Sequence, residues 1–180
     1  MRKFIFFLAL SSTIVFTSCK GDPGPPGPAG YDGDEFLAQV FEVTVANYQY
    51  DSSVNQLYSN FSGFPFTVYE SDVVLAYHWE GEERLDNGEY VDIWTLMPQN
   101  VFYNDGTGDF FQYNFNHTFL DVQFTIEGNF PLTNIDSRDV TNQLFRVAVV
   151  PAEFARMKPS MNDIMERMQM DDSEVERVEL

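Results

Sequence analysis

From residue 36 onward, hydrophobic and polar residues alternate along the chain with a period of two. The pattern is clearest in four segments, namely residues 41–45, 111–115, 120–126 and 145–149. Alternation of this kind predicts antiparallel strands with one buried face and one solvated face. The polar members of these segments, such as Glu42 and Arg146, are therefore expected on solvated faces.

Two further segments predict strands of a different character. Residues 73–77 form a continuous apolar run, which favours a more central strand, and residues 91–96 form another strand that Pro98 ends. Turn signals separate the runs at Ser62-Gly63, Asp86-Asn87-Gly88, Asn104-Asp105-Gly106 and Glu127-Gly128-Asn129. Many short strands with regular turns predict a mainly β fold, an antiparallel β-sandwich, and leave its connectivity open.

The period changes near residue 160. Ser160 is a good N-cap with Asp163 three residues later. The apolar residues that follow recur at helical spacing and are Met161, Ile164, Met165 and Met168. They predict a C-terminal helix over about residues 160–170, stopped by residues 171–173, with a short final strand at 175–180. Docking on its own domain is the favoured role of this helix, and a partner-binding methionine surface is the alternative.

The first 18 residues have the layout of a secretory signal. Arg2 and Lys3 precede an apolar run at residues 4–16, and small residues come just before Cys19. The run is too short to span a bilayer, which takes about 20 residues. Residues 16–19 resemble a bacterial lipobox, in which the signal is cut before a cysteine that then carries lipid. An ordinary signal peptide, or a membrane anchor with an incidental cysteine, is the alternative.

Cys19 is the only cysteine of the chain, and we expect it to carry acyl chains that hold the protein at a membrane. One chain anchors weakly, whereas two or more anchor stably. No aspartate follows Cys19 directly, and by resemblance to lipoprotein sorting signals this implies the outer membrane. Residues 20–22 resemble signals that send such lipoproteins to the cell surface; the periplasmic face is the alternative location.

Between the lipidation site and the β domain lies a collagen-like segment at residues 19–35. Its spacer glycines are Gly21, Gly24, Gly27, Gly30 and Gly33. A glycine at every third position with proline is typical of the collagen triple helix, but four triplets favour a single extended spacer. A homotrimer follows only if the domain at residues 36–180 is itself trimeric.

The charge of the chain narrows the classes of partner. Acidic residues number 28 against 10 basic ones, for a net charge of −18, which argues against nucleic acid. It argues equally against direct contact with an anionic membrane face. A solvated, self-repelling surface is the favoured interpretation of this acidity. Calcium binding at residues 32–35 or 105–109 is the alternative, although neither segment has EF-hand spacing.

No catalytic, metal or cofactor site is predicted from the motifs. His78 and His117 are the only histidines, and a zinc site needs three or four ligands at defined spacing. Nucleophile elbows, dinucleotide-binding loops and phosphate-binding loops do not occur. The many acids offer so many carboxylate pairs for glycoside chemistry that none is informative. Four aromatic residues are candidate ligand contacts: Trp79, Trp94, Phe102 and Tyr103.

Several strings of the chain resemble a family of small collagen-like lipoproteins of Bacteroidetes. Besides Cys19 and the Gly-X-Y run, they are residues 68–75, 92–94, 97–99, 112–115, 127–130 and 145–152. The resemblance implies a location and a domain plan but no activity. We therefore expect a non-enzymatic outer-membrane or cell-surface lipoprotein with a structural or protein-interaction role. A glycan- or peptide-binding accessory module of an outer-membrane complex is the alternative, and an unrecognised hydrolase is a third.

Overall fold

A computed structural model describes residues 38–180 of the chain. The predicted signal peptide, Cys19 and the spacer glycines lie outside the described residues. Among the residues that are described, no helix is long and apolar enough to cross a membrane.

The described residues fold into two five-stranded sheets. The first sheet has the order β10-β1-β9-β4-β5, built from β1 (Gln39–Asn47), β4 (Asp72–Arg84), β5 (Tyr90–Leu96), β9 (Thr141–Pro151) and β10 (Glu176–Glu179). The second has the order β2-β3-β8-β7-β6, built from β2 (Gln49–Asp51), β3 (Gln56–Ser62), β6 (Gln99–Phe102), β7 (Phe110–His117) and β8 (Asp121–Gly128). Every strand pair is antiparallel except β1 with β10, which run parallel. The predicted mainly β fold is confirmed.

The sheets pack face to face around an aromatic core. Phe124 of β8 stacks on Phe145 of β9 with ring centroids 4.4 Å apart, and Phe41 of β1 lies 5.1 Å from Phe61 of β3. All four rings are buried. They occupy alternate positions of their strands because successive side chains of a strand point to opposite faces. The period-two pattern therefore marked the inner face of each sheet correctly.

The sequence pattern predicted that the outer face of the first sheet is solvated. The structure shows that this face is covered instead. Two short helices, α1 (Ala152–Ala155) and α2 (Met161–Met168), follow β9, and α2 places Met161, Ile164 and Met165 in a second core against this face. The predicted methionine stripe thus docks on its own domain. Glu42 and Arg146 lie beneath the C-terminal segment and are 3% and 2% exposed, so their expected solvation was wrong.

The ends of α2 follow from local chemistry. The Ser160 hydroxyl accepts a hydrogen bond from the Asp163 amide, and the Asp163 carboxylate accepts one from the Ser160 amide, which completes a capping box. The helix ends at Met168 because Gln169 adopts a left-handed φ of 54°. It is therefore shorter than the predicted 160–170 and ends before Asp171. Three-residue 3-10 turns occur at Leu132–Asn134, Ser137–Asp139 and Asp172–Glu174.

Candidate functional site

The hairpin of β4 and β5 extends beyond the rest of the first sheet. Pairing of β4 with β9 ends at His78, whereas pairing of β4 with β5 continues to Arg84. A bulge between Trp79 and Gly81 shifts the register, and Gly81 supplies the φ of 131° that it needs. Because β5 lies at the edge of the sheet, one side of its backbone has no neighbouring strand within residues 38–180.

A cleft of about 330 Å³ lies between β5 and the C-terminal segment. One wall is the outer face of β5, where alternation places Tyr90, Asp92 and Trp94 side by side. The opposite wall is formed by side chains of α2 and of the turn after it, namely Asn162, Met165, Met170, Asp171 and Asp172. Arg146 of β9, almost fully buried, lies at the bottom.

Arg146 belongs to a row of charges that crosses three strands. Glu42 stands opposite Arg146 in the β1–β9 pairing and opposite Arg177 in the β1–β10 pairing. Arg146 Nη2 lies 2.6 Å from Glu42 Oε1, and Arg177 Nε lies 3.1 Å from Glu42 Oε2. Arg146 Nη1 reaches Asp172 Oδ1 at 2.7 Å. The row thus ties the C-terminal turn to the sheet beneath it.

The indole of Trp94 links this charge row to the wall of the cleft. The Arg146 guanidinium carbon lies 4.3 Å from the Trp94 ring centroid, which is a cation–π contact. The Trp94 Nε1 atom is buried without a hydrogen-bond partner in the part of the chain that the structure describes. Trp79, the cross-strand neighbour of Trp94, donates from Nε1 to Asp92 Oδ1 at 2.7 Å and so fixes that carboxylate.

The four predicted aromatic contacts are divided between two sheets. Trp94 lines the cleft, and Trp79 holds a residue that lines it. Phe102 ends β6 at the edge of the second sheet and is 64% exposed. Tyr103 packs on the core through Phe111, 5.8 Å between centroids, and donates its hydroxyl hydrogen to Asp139 at 3.2 Å. Phe102 and Tyr103 therefore do not contribute to the cleft.

The two histidines have separate surroundings. His78 is buried, stacks 4.2 Å from the Tyr113 ring, and places Nδ1 at 2.7 Å from Gln99 Oε1. Its Nε2 lies 3.0 Å from Gln143 Oε1, and the amide nitrogen of Gln143 donates to two backbone carbonyls. His117 is exposed at the end of β7 and stacks 6.1 Å from Phe115.

The acidic turns form local hydrogen bonds. Asp105 Oδ1 accepts from the amide and the hydroxyl of Thr107, which lowers the Asp105 pKa. Asp171 Oδ1 likewise accepts from the amide and the hydroxyl of Ser173. These hydrogen bonds hold the pKa of Asp171 below its ordinary value and keep the carboxylate ionised at neutral pH. Within residues 38–180, no group of three or more His, Cys, Asp or Glu side chains is placed to hold a metal ion. The other turn considered for the calcium alternative, at residues 32–35, lies outside the described residues.

Sequence reasoning singled out Trp94 and missed the rest of the cleft. Asp92, Arg146 and Asp171 come from three segments far apart in the chain, and only the fold brings them together. One signal was present: residues 147–151 are apolar at every position, which is typical of a strand covered on both faces. Comparison of the chain with protein-family models, with curated proteins and with solved structures gave no match.

Proposed function

We propose that this protein is a lipid-anchored, non-enzymatic interaction protein of the bacterial outer membrane, exposed at the cell surface. The anchor rests on the sequence: a signal pattern ends at Cys19, and Gly-X-Y triplets follow it. The resemblance to collagen-like lipoproteins of Bacteroidetes supports the same arrangement. In this proposal the triplets form a spacer, and the β domain at residues 36–180 meets the partner.

The β4–β5 hairpin and its cleft are the observation that carries the interaction role. Edge strands of soluble proteins are normally blunted against pairing, whereas β5 presents apolar side chains to solvent. Tyr90 is 63% exposed, Val91 40% and Ile93 36%. Tyr90 and Val91 also line a concave cleft rather than a flat patch. A concave site at a free edge suits a segment of a ligand that enters between strand and helix.

The cleft also favours the second candidate, a glycan- or peptide-binding accessory module of an outer-membrane complex. Trp94 and Tyr90 supply aromatic surface, and the neighbouring carboxylates supply hydrogen-bond acceptors. The two candidates share the same site and differ in the ligand. Catalysis finds less support, because His78 is enclosed by Gln99, Gln143 and aromatic rings.

The anchor is tested by replacing Cys19 with alanine and separating membranes from soluble material. We expect the wild-type chain to sediment with outer membranes and the Cys19→Ala chain to leave them. Tight membrane association of the variant would contradict the lipid anchor.

The interaction role is tested by photo-crosslinking in intact cells. A benzophenone amino acid at Tyr90, which lines the cleft and is largely exposed, should give a discrete crosslinked product. The same probe at Glu70, an exposed residue between β3 and β4, serves as the control and should give none. Equal absence of products at both positions would contradict an interaction through the hairpin.

A further inference from the structure

The walls of the cleft suit a side chain that is apolar along its stem and charged at its tip. Met165 and Met170 line the cleft on one side, and Tyr90 lines it on the other. Carboxylates stand beside these apolar groups on both walls. A volume of about 330 Å³ lies at the small end of the range for ligand pockets, which is about 300–1,000 Å³. One long side chain fits such a space better than a large rigid ligand.

Three carboxylates line the cleft, and two of them keep one oxygen uncommitted. Asp92 uses Oδ1 to accept from Trp79, Asp171 uses Oδ1 to accept from Ser173, and Asp172 uses Oδ1 to hold Arg146. The Oδ2 atoms of Asp92 and Asp172 have no partner among residues 38–180, whereas the Asp171 carboxylate also accepts from the Glu174 amide. Carboxylates on both walls of the cleft favour a ligand that only donates hydrogen bonds.

The local charge favours a cation in the same place. Arg146 and Arg177 are balanced by Glu42 and Asp172, so this row is neutral and Asp92 and Asp171 leave the cleft with a net negative charge. Arg146 also shows that this surface accepts a guanidinium against Trp94, at 4.3 Å from the ring. Tyr90, largely exposed, offers a second aromatic face at the mouth of the cleft.

The free edge of β5 fixes the form of the ligand. A strand that pairs with β5 would continue the first sheet, and every second side chain of that strand would lie on the face of Tyr90, Asp92 and Trp94. The described residues carry 24 acidic and seven basic side chains, which attracts basic partners over longer distances.

We propose that the cleft binds a lysine or arginine side chain of an extended basic peptide, whose backbone pairs with the free edge of β5. This inference rests on the proposed function. The peptide is a segment of the partner protein. Backbone pairing supplies affinity without regard to sequence, and the cleft supplies the preference for a positive charge.

The test uses the full chain in mild detergent and fluorescein-labelled peptides. The basic probe is acetyl-Thr-Lys-Thr-Lys-Thr-amide, and the matched probe has glutamate in place of each lysine. We expect saturable binding of the lysine probe, weaker binding at higher ionic strength, and no binding of the glutamate probe. Labelled maltohexaose tests the glycan alternative; its saturable binding, with no binding of the lysine probe, would overturn the inference.

Variants locate the binding site. Asparagine at Asp92 and Asp171 keeps the Oδ1 acceptors for Trp79 and Ser173 while removing two charges, so Asp92→Asn/Asp171→Asn should fold normally. We expect roughly a fivefold to tenfold loss of affinity for the lysine probe. The control Glu70→Gln/Glu153→Gln removes two charges from exposed positions outside the cleft and should change the affinity less than about twofold. An equal loss in both double variants would overturn the site.

The outcomes for the site and for the proposed function are separable. A crosslink at Tyr90 together with indifference to the charge of the peptide would overturn the ligand class and leave the interaction role standing. Continued membrane association of Cys19→Ala would remove the anchor without affecting the peptide measurements, because these use purified protein. Circular dichroism and the urea midpoint of each variant verify that the cleft variants remain folded.

Discussion

Replacing Arg146 with methionine tests how the buried charge row contributes to stability. Methionine keeps most of the apolar stem of arginine but removes the guanidinium. Glu42, which is 3% exposed, then has only Arg177 beside its carboxylate. The side chain of Arg177 is 69% exposed, so it compensates poorly. The stabilising cation–π contact with Trp94 is lost as well.

The magnitude follows from burial. Removing one partner of a buried ion pair costs about 3–5 kcal/mol, and the remaining Arg177 contact returns about 1 kcal/mol at most. We therefore expect the free energy of unfolding of Arg146→Met to fall by about 3 kcal/mol. For a domain of this size, a change of that magnitude lowers the melting temperature by roughly 6–12 °C.

A double-mutant cycle supplies the decisive comparison. Glu42→Leu/Arg146→Met removes both charges, and the groups left behind, Arg177 and Asp172, have exposed side chains that water can solvate. The double variant should therefore lie within about 1 kcal/mol of the wild type, well above either single variant.

The assay is urea unfolding followed by far-UV circular dichroism, because the fluorescence of Trp94 changes directly when Arg146 is lost. A double variant that costs the sum of the two single variants would refute the coupling. A cost below about 1 kcal/mol for Arg146→Met would refute the claim that Glu42 is stranded in a desolvated site.

Three further predictions concern the same domain. Ser160→Ala removes the cap of α2 and should lower the unfolding free energy by about 1 kcal/mol in urea titrations, whereas Glu166→Ala, exposed on the same helix, should change it little. Ile164→Ala leaves a cavity in the second core and should cost about 3 kcal/mol by the same measurement. Burial raises the pKa of Tyr77 and Tyr113 above that of a tyrosine in the unfolded chain. Their contribution to the free energy of unfolding is therefore complete below pH 10 and is lost as the pH rises above it. The loss is up to about 1.4 kcal/mol per pH unit for each tyrosine.

Each of these three predictions has a result that contradicts it. An unchanged urea midpoint for Ser160→Ala would show that docking alone holds α2. A loss below about 1 kcal/mol for Ile164→Ala would mean that the second core is loosely packed. A melting temperature that stays constant from pH 9 to pH 12 would show that the two tyrosines ionise as freely as in the unfolded chain.

Strands were predictable from the sequence where one face is wholly apolar. β1, β7, β8 and β9 each show this alternation. The sequence analysis did not identify β3, because Ser59 faces the core between Leu57 and Phe61 and breaks the apolar series. It also missed β6, which has four residues, too few for a period to appear.

The cleft could not be predicted because its parts depend on register and on coverage. The pairing of Glu42 with Arg146 requires the alignment of β1 with β9, and local patterns do not carry that alignment. The burial of both charges requires α2 and the following turn to lie on the outer face. The helical methionine stripe predicted that α2 docks, but it did not identify the surface that receives it.

The parallel pairing of β10 with β1 has a consequence for the order in which the domain forms. Glu42 and Arg177, joined across this pair, lie 135 residues apart in sequence. A chain that emerges N-terminus first from a ribosome or a translocation pore exposes β1 long before β9 and β10 arrive beside it. Until then β1 lacks both of its neighbours, and contacts this distant form late and slowly. The first sheet is therefore completed only when residues 176–179 are available to pair with β1.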